Sequence, residues 1–148
     1  MDKALHSTGK DDWETPQDFF NKLDEEFNFT LDPCCTVKTA KCKKFYTKER
    51  DGLKQDWSGE IVYCNPPYSK RSKDNPGQGA WIKKCYEEGE KTTVVMLIPA
   101  RTDTKAFHEY IYGKAEIRFL KGRLKFVGAK YTAPFPIMVV VFRGRKRA

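Results

Sequence analysis

The order of apolar and polar residues predicts a chain of alternating helices and strands. The first predicted helix carries apolar side chains at helical spacing at Phe19, Phe20, Leu23 and Phe27. Such spacing predicts an amphipathic helix of about three turns. Pro16 suits a first helical turn, and Thr15 just before it is a candidate cap.

Runs of apolar and β-branched residues predict strands at 28–32, 43–46, 60–64, 92–98, 115–120 and 136–142. Further helices are predicted at 80–88 and 103–112, the second of them capped by Asp103. The run 92–98 is apolar throughout, which is typical of the centre of a parallel sheet. Together these elements predict an α/β domain, with a mostly parallel sheet and helices on both faces.

The length of 148 residues predicts a single domain spanning 1–148. We expect the polar residues 1–12 to be flexible and residues 143–148, with Arg143, Arg145, Lys146 and Arg147, to form a basic tail. No run of about 18 apolar residues occurs, so no membrane span is predicted. The amino terminus lacks the apolar core of a secretion signal, and a cytoplasmic location is therefore expected.

The cysteine content indicates the redox compartment, and the net charge indicates the class of partner. The five cysteines are odd in number, which favours free thiols in a reducing compartment. Cys34, Cys35 and Cys42 are close in sequence but lack the spacing of a zinc ribbon, so no metal is predicted. The net charge of +8, from 28 basic and 20 acidic residues, favours a polyanion such as nucleic acid.

The candidate chemistry lies in Asn65-Pro66-Pro67-Tyr68, directly after the predicted strand 60–64. Ligands of α/β sheets bind outside the carboxyl ends of the strands. The Asn65 side-chain oxygen and a proline carbonyl are acceptors, and a pair of acceptors suits an –NH₂ group. Tyr68 can stack on a flat base that carries this amine. The tetrapeptide therefore predicts amino methylation through positioning and charge stabilisation; a plain proline turn with Tyr68 as packing is the alternative.

Several further blocks, in a fixed order, resemble one family. They are Trp13-Glu14-Thr15-Pro16, Leu31-Asp32-Pro33-Cys34, Asp51-Gly52-Leu53 with Asp56-Trp57, the tetrapeptide, Trp81-Ile82-Lys83-Lys84, the block from Leu97 to Thr104, and the block from Lys121 to Phe126. With these blocks the chain resembles the phage and prophage DNA N6-adenine methyltransferases from Trp13 to about Phe142. The resemblance implies a compact Rossmann-like class I methyltransferase fold, S-adenosylmethionine as methyl donor, and double-stranded DNA as partner. It also implies that a phage or prophage encodes the protein, which would act in the bacterial host cell.

The same resemblance implies the cofactor contacts. Thr15-Pro16 would reach the cofactor carboxylate, which a helix amino terminus favours. Asp32-Pro33-Cys34 would border the methionine part, and Asp51 or Asp56 would accept from the ribose hydroxyls or the adenine amine. The chain departs from the family pattern because Cys34-Cys35-Thr36 stands where a glycine-rich loop is expected. A turn cap at Asp32 and a plain turn at Asp51-Gly52 remain alternatives.

DNA contacts are predicted at two basic segments. The loop Ser69–Gly79 carries Lys70, Arg71 and Lys73 beside the expected base pocket. Lys121, Arg123 and Lys125 alternate, so on an extended strand they would share one face, opposite Leu124 and Phe126. Such a face predicts phosphate contacts, and a merely solvated face is the alternative. Arg101 follows the central strand and is a candidate contact to DNA or cofactor.

An enzyme acting on adenine N6 must flip the base out of the duplex into a pocket. The same tetrapeptide could serve RNA or a protein glutamine, because it handles any planar amine or amide. A DNA-binding accessory protein that kept the fold and lost catalysis is another alternative, which the missing glycine loop motivates.

Overall fold

One mixed sheet with a helix on each face organises the protein. The computed structural model describes residues 13–73 and 75–144. Its strands are β1 (Leu31–Asp32), β2 (Lys44–Phe45), β3 (Val62–Cys64), β4 (Thr93–Pro99), β5 (Glu116–Phe119) and β6 (Ile137–Arg143). Its helices are α1 (Gln17–Phe27) and α2 (Gln78–Glu88), with a 3-10 turn at Gly52–Lys54 and a π-helical turn at Phe107–Ile111.

The strand order in this six-stranded sheet is β2-β1-β3-β4-β6-β5. The pairs β1–β2, β1–β3 and β3–β4 are parallel, whereas β6 runs antiparallel to both β4 and β5. The predicted α/β class is confirmed, but "mostly parallel" fits only loosely because β6 is reversed. No helix connects β5 to β6, so the chain returns beside β5 in the opposite direction.

The two helices lie on opposite faces of the sheet, as the sequence predicts. Successive side chains on a strand point to opposite faces. Near the end of β6, the Phe142 ring lies 6.2 Å from the ring of Tyr86 on α2. The guanidinium of the next residue, Arg143, lies 5.4 Å from the ring of Phe27 on α1. Adjacent positions therefore contact different helices, which places α1 and α2 on different faces.

The parallel strands β1, β3 and β4 all end at one edge of the sheet, which we call the carboxyl edge. Pro33, Asn65 and Ala100 follow these strands, and the antiparallel β6 begins at the same edge. The Ala100 amide accordingly donates to the Pro136 carbonyl at 2.9 Å. Strand β5 ends there too, because it is antiparallel to β6. The turn after β1, the tetrapeptide after β3 and Arg101 after β4 therefore lie at the same edge of the sheet.

Both predicted helix caps are wrong. Helix α1 begins after Pro16 without a side-chain cap, and the Thr15 hydroxyl instead pairs with the Tyr63 hydroxyl at 2.6 Å. In the segment before the π-helical turn, Thr104 and not Asp103 accepts from the Phe107 amide, at 3.2 Å.

The predicted basic tail begins too early, because Arg143 belongs to β6 and bonds Glu116 at 2.7 Å. Residues 1–12 and 145–148, predicted to be flexible and basic respectively, lie outside the described residues. None of the helices within the described ranges has the length and apolar character that crossing a bilayer requires.

The predicted extended strand at Lys121–Lys125 is absent from the sheet, since β5 ends at Phe119. Gly122, at φ 77°, turns the chain immediately afterwards. The predicted alternation nevertheless holds beyond this turn, because Arg123 and Lys125 are exposed while Phe126 is buried. Burial of Phe126 in the core, rather than strand pairing, therefore sets the direction of these basic side chains.

Candidate active site

Asn65 holds a defined orientation at the carboxyl edge. It follows β3, whose three residues are all buried. Its side-chain Nδ2 donates to the Trp13 carbonyl at 2.5 Å and to the Thr15 hydroxyl at 3.2 Å. A backbone carbonyl can only accept, so the NH₂ group must face Trp13 and the amide oxygen must face the other way. That oxygen accepts from the Tyr68 hydroxyl at 2.6 Å and has a second lone pair.

Tyr68 is buried, with only 2% of its surface exposed. Its ring lies nearly parallel to that of Trp13, with centroids 6.3 Å apart and an interplanar angle of 15°. The rings of Phe126 and Phe135 meet it edge-on, at 6.1 and 5.8 Å. These residues form an aromatic cluster: Trp13, Tyr68, Phe126 and Phe135. The face of Tyr68 that the sequence assigns to a base is therefore covered in this structure.

Further bonds hold the tetrapeptide in place. The Tyr68 hydroxyl also donates to the Leu97 carbonyl of β4 at 3.0 Å. Burial raises the pKa of this phenol well above its usual value, so Tyr68 stays protonated and remains a donor. Arg101 donates from Nη1 to the Tyr68 carbonyl at 2.5 Å. The predicted DNA or cofactor residue Arg101 thus has a structural role at the tetrapeptide, consistent with its place just after β4.

Thr15 links the segment that precedes α1 to strand β3. Only 1% of its surface is exposed, and its hydroxyl bonds both the Tyr63 hydroxyl and Asn65 Nδ2. Burial raises the pKa of Tyr63, which keeps that phenol protonated as well. Because the Thr15 hydroxyl is engaged inside the protein, a cofactor contact of Thr15-Pro16 would come from the backbone.

Asp32 closes the turn that follows β1. Its carboxylate accepts from the Cys34 amide at 3.3 Å and from the Lys41 amide at 3.0 Å. The side chain is 3% exposed, and burial raises the pKa of this carboxyl to about 6. The turn-cap alternative therefore describes what Asp32 does within the chain; its contact with a cofactor stays a prediction, as do those of Pro33 and Cys34.

The Asp51-Gly52 turn packs against the end of β1. Asp51 has a left-handed backbone (φ 53°), and its carboxylate accepts from the Leu53 amide at 3.2 Å. A Cβ atom on Gly52 would lie 2.1 Å from the Pro33 carbonyl oxygen. The Trp57 indole also donates to the Gly52 carbonyl at 3.0 Å. A glycine needed for close approach thus occurs here, instead of directly after the first strand.

An open cavity of about 440 Å³ lies beside this turn. Its lining residues are Asp51, Leu53, Lys54, Arg71, Ser72, Lys73, Asn75 and Pro76. The volume falls in the range of about 300–1,000 Å³ for small-molecule sites. The cavity joins one predicted cofactor residue, Asp51, to two residues of the predicted DNA loop.

Asp56 does not fit its predicted contact with the cofactor. Its side chain is 73% exposed, and it accepts from Ser58 at 2.6 Å and from Lys91 at 3.1 Å. These bonds hold the pKa of this carboxyl well below its usual value. Lys91 precedes β4, so Asp56 lies at the amino ends of the parallel strands, opposite the carboxyl edge.

Apart from Arg101, which is half-buried, the predicted DNA residues are exposed around the carboxyl edge. Lys70, Arg71 and Lys73 are exposed in the loop after Tyr68. Lys121, Arg123 and Lys125 are exposed after β5, and Arg123 also donates to the Ala133 carbonyl at 3.4 Å. Their contact with phosphate stays a prediction.

Sequence reasoning missed three members of the aromatic cluster. Trp13 was assigned no site role, although it begins the first block of the family resemblance. Phe126 was assigned only to an apolar face, and Phe135 was not singled out. All three are separated widely from Tyr68 in sequence, so only the fold brings these rings together.

The cysteines carry free thiols, as the sequence predicts. No disulfide joins the five cysteines, which all lie in the described ranges; Cys64 and Cys85 are buried and the others are half-buried. Within residues 13–73 and 75–144, no three His, Cys, Asp or Glu side chains come together as a metal ligand set.

Comparisons with known proteins give a consistent family. A family model described as DNA N-6-adenine-methyltransferase (Dam) matches residues 3–137. A DNA N-6-adenine-methyltransferase of Haemophilus phage HP1 (strain HP1c1) is 33% identical over 121 residues, which cover 80% of this chain and 67% of the relative. A DNA N-6-adenine-methyltransferase of Escherichia phage T1 is 30% identical over 118 residues, which cover 78% of this chain and 47% of the relative. The chain thus spans about two thirds and about half of these relatives.

A third relative and one solved structure extend the comparison. The putative methyltransferase YfdM of Escherichia coli (strain K12) is 35% identical over 65 residues, covering 39% of this chain and 71% of the relative. The crystal structure of Thermoplasma acidophilum 1320 matches with a TM-score of 0.50 at 8% identity, covering 86% of this chain and 87% of that chain. At this identity the match concerns the fold alone.

Proposed function

This chain belongs to the family of DNA N-6-adenine-methyltransferases (Dam), and on that premise we propose that it transfers a methyl group from S-adenosylmethionine to N6 of a flipped adenine in double-stranded DNA. The observation that carries the proposal is the orientation of Asn65. Its NH₂ group is occupied by Trp13 and Thr15, so its oxygen is the atom left to receive an amine. This residue follows β3, at the edge where α/β sheets bind ligands.

The adenine amine would be held by two acceptors, Asn65 Oδ1 and the Pro66 carbonyl. An amide oxygen has two lone pairs, so Asn65 can keep its bond to the Tyr68 hydroxyl while it accepts from the amine. With both hydrogens bound, the nitrogen lone pair points outward as the nitrogen becomes tetrahedral. The acceptors would also stabilise the positive charge that develops on the nitrogen until one of its two protons passes to solvent. Pro67 keeps this turn rigid.

Tyr68 would stack on the flipped base after the aromatic cluster opens. Extrusion of a base costs a few kcal/mol, and stacking on an aromatic ring offsets about 1–3 kcal/mol of this cost. Arg101 assists by fixing the Tyr68 carbonyl, and the Tyr68 hydroxyl keeps its bond to Asn65, so the other rings of the cluster would move apart.

The residues at the end of β1 and around the cavity suit the cofactor. S-adenosylmethionine supplies a methyl group on a positively charged sulfur. The turn Asp32-Pro33-Cys34 and the turn at Asp51 lie side by side, because Gly52 packs closely against Pro33. Asp51 offers a carboxylate for ribose hydroxyls, and Leu53 offers apolar surface beside it. Thr15-Pro16 would contribute backbone contacts to the cofactor carboxylate.

Two basic segments would hold the duplex. The loop with Lys70, Arg71 and Lys73 directly follows the tetrapeptide, and the segment with Lys121, Arg123 and Lys125 follows β5 at the same edge. Phosphate contacts of this kind position a protein on DNA without specifying sequence. They would flank the aromatic cluster, where the base must enter.

The test is methyl transfer from tritiated S-adenosylmethionine to DNA, RNA and protein in parallel, followed by modified-base sequencing of the DNA. We expect label in DNA alone, at adenine N6. Label only in RNA or protein would refute the DNA assignment. Calorimetry with S-adenosylmethionine covers the accessory-protein alternative, since absence of binding at millimolar ligand would favour it.

Asn65→Ala tests the role of Asn65 in catalysis, with the fold of the variant checked by circular dichroism. Loss of a group that stabilises transition-state charge costs about 100-fold or more in kcat. We expect this loss with cofactor affinity close to normal. Asn21→Ala, the same change on the exposed side of α1, is the matched control and should keep full activity. Unchanged activity in Asn65→Ala would remove Asn65 from the reaction.

A further inference from the structure

Buried donors without a partner cluster at the candidate active site. Among the described residues, the buried side-chain nitrogens or oxygens without a hydrogen-bond partner are Trp13 Nε1 and Gln78 Nε2. Trp13 accepts from Asn65 through its carbonyl, and the Gln78 amide donates to the Ser69 carbonyl at 3.0 Å. Both unpaired donors therefore belong to residues bonded to the tetrapeptide or its neighbour. A buried donor without a partner destabilises a protein by about 1–3 kcal/mol, so it calls for an explanation.

We propose that Trp13 is a specificity-determining residue of the base pocket, whose indole N–H donates to a ring nitrogen of the flipped adenine. The inference rests on the proposed function and deepens it by naming a second contact to the base. Trp13 Nε1 lacks a partner in the free protein because its acceptor belongs to the substrate. Binding of adenine supplies the missing acceptor.

The orientation of the rings supports an edge-on contact. An indole N–H lies in the plane of its ring, so it cannot donate to a base stacked on the indole face. The planes of Trp13 and Tyr68 are within 15° of each other. A base stacked on Tyr68 would lie nearly parallel to the indole, provided that the two rings keep this angle when the cluster opens, and it could then present its edge to Nε1. The centroid distance of 6.3 Å exceeds the spacing of about 3.4 Å between stacked bases, consistent with rings that overlap only partly.

The other two rings of the cluster enclose this arrangement. Phe126 and Phe135 are inclined to the Trp13 plane by 63° and 76°. They are inclined to the Tyr68 plane by 68° and 81°. Rings that stand across both planes would form side walls, which limit how far a base on Tyr68 can slide within its own plane. Such confinement favours one in-plane partner for the base edge.

The chemistry of adenine matches this donor. Beside its amine, adenine carries ring nitrogens with free lone pairs at N1, N3 and N7, whereas an indole N–H is a donor only. Asn65 and Pro66 accept from the amine, and Trp13 donates to the ring, so the pocket would be complementary to both properties. A site built around such a bond discriminates strongly against a base that lacks the acceptor.

The experiment compares Trp13→Phe with the wild-type protein on a duplex that contains the target adenine in its unmethylated form. Phenylalanine keeps an aromatic ring in the cluster and removes the N–H. We expect kcat/KM to fall about tenfold, with a melting temperature close to that of the wild type, because the loss of an unpaired buried donor offsets the smaller volume of the new ring. Trp81→Phe on α2 is the matched control, and we expect it to retain the wild-type kcat/KM.

Substrate analogues identify the bonded nitrogen. The target adenine is replaced in turn by 1-deaza-, 3-deaza- and 7-deazaadenine, each of which exchanges one ring nitrogen for C–H. For the wild type, one analogue should lose about tenfold in kcat/KM through the missing bond. That analogue should cause no further loss in Trp13→Phe, because both changes remove the same bond.

Each outcome decides the inference. Wild-type kcat/KM in Trp13→Phe, or a loss that adds fully to the loss from every analogue, would overturn it. If Trp13→Phe does not fold, β-(3-benzothienyl)alanine at position 13 removes the N–H at nearly unchanged shape, and the same outcomes apply. Absence of adenine methylation by the wild type would refute the proposed function as well. Normal wild-type methylation with an unaffected variant would refute the inference alone.

Discussion

Asn65 Nδ2 donates a hydrogen bond of 2.5 Å to the carbonyl of Trp13, a residue 52 positions earlier in the chain. This bond joins the segment before α1 to the turn after β3. It also determines which end of the Asn65 amide points away from Trp13, since a carbonyl accepts only from NH₂. The segment before α1 thereby positions the side chain that the reaction requires.

Thr15 supplies the second acceptor for Asn65, and Thr15→Val tests its contribution. The change removes the hydroxyl that pairs with the buried Tyr63 hydroxyl at 2.6 Å. A buried polar group left without a partner costs about 1–3 kcal/mol. We expect the free energy of unfolding in urea to fall by this amount, whereas Thr15→Ser should lose less because it keeps the hydroxyl. Equal stability of the valine and serine variants would contradict the prediction.

Gly52 allows the Asp51 turn to approach β1, so Gly52→Ala should be strongly destabilising. The added Cβ would lie 2.1 Å from the Pro33 carbonyl oxygen, and the backbone must shift to relieve the clash. We expect a loss of several kcal/mol in unfolding free energy, since overpacking alone costs about 1–3 kcal/mol. Gly79→Ala is the matched control.

For the control, Gly79→Ala, we expect the free energy of unfolding to rise and not to fall. Gly79 lies in α2, and a Cβ there meets no atom closer than Ala106 Cβ at 4.0 Å. Alanine in a helix is about 0.5–1 kcal/mol more favourable than glycine. A Gly52→Ala protein as stable as Gly79→Ala would show that the turn does not need close contact.

Asp32 should make the stability of the protein depend on pH between about 4 and 6. Burial raises the pKa of this carboxyl from 3.8 to about 6, so the folded protein holds a proton that the unfolded chain has released. The folded state binds more protons in this window, and stability therefore falls as pH rises. One such group contributes at most about 1.4 kcal/mol per pH unit.

Asp32→Asn isolates this contribution, because asparagine does not titrate. The variant also loses one acceptor for the backbone amides of Cys34 and Lys41, so slopes against pH are compared rather than absolute stabilities. We expect the difference in unfolding free energy between wild type and variant to change across pH 4–6. A difference that stays constant over this range would disprove the raised pKa.

The salt dependence of DNA binding should identify which lysines contact phosphate. Lys121 and Lys125 are exposed after β5 at the carboxyl edge. In Lys121→Gln/Lys125→Gln, the slope of log K against log salt should decrease by about 0.9 per lost contact. Lys91→Gln/Lys114→Gln removes the same charge before β4 and β5, at the opposite edge, and should leave the slope nearly unchanged. Equal changes in both variants would indicate only a general effect of net charge.

Local patterns in the sequence were sufficient for α1, for β4 and for the place of the tetrapeptide, although the predicted helix 103–112 proved to be mainly the π-helical turn Phe107–Ile111. The 3.6-residue spacing of Phe20, Leu23 and Phe27 predicted α1, and all three are buried. The apolar run of β4 predicted a central strand, which lies fourth in the six-stranded order. Asn65 to Tyr68 was placed correctly at the end of β3. These features depend on neighbouring residues, so a single sequence carries them.

Tertiary structure decided the partners of those residues. The sequence could not predict that Thr15 bonds Tyr63 and Asn65 rather than capping α1, or that Tyr68 is covered by Trp13. Nor could it predict that Asp56 lies at the amino ends of the parallel strands, opposite the carboxyl edge. Each of these contacts joins residues far apart in sequence, and it depends on strand order and direction. Sequence alone thus determined which groups are available for chemistry, and the fold determined which of them meet, because long-range packing sets both position and burial.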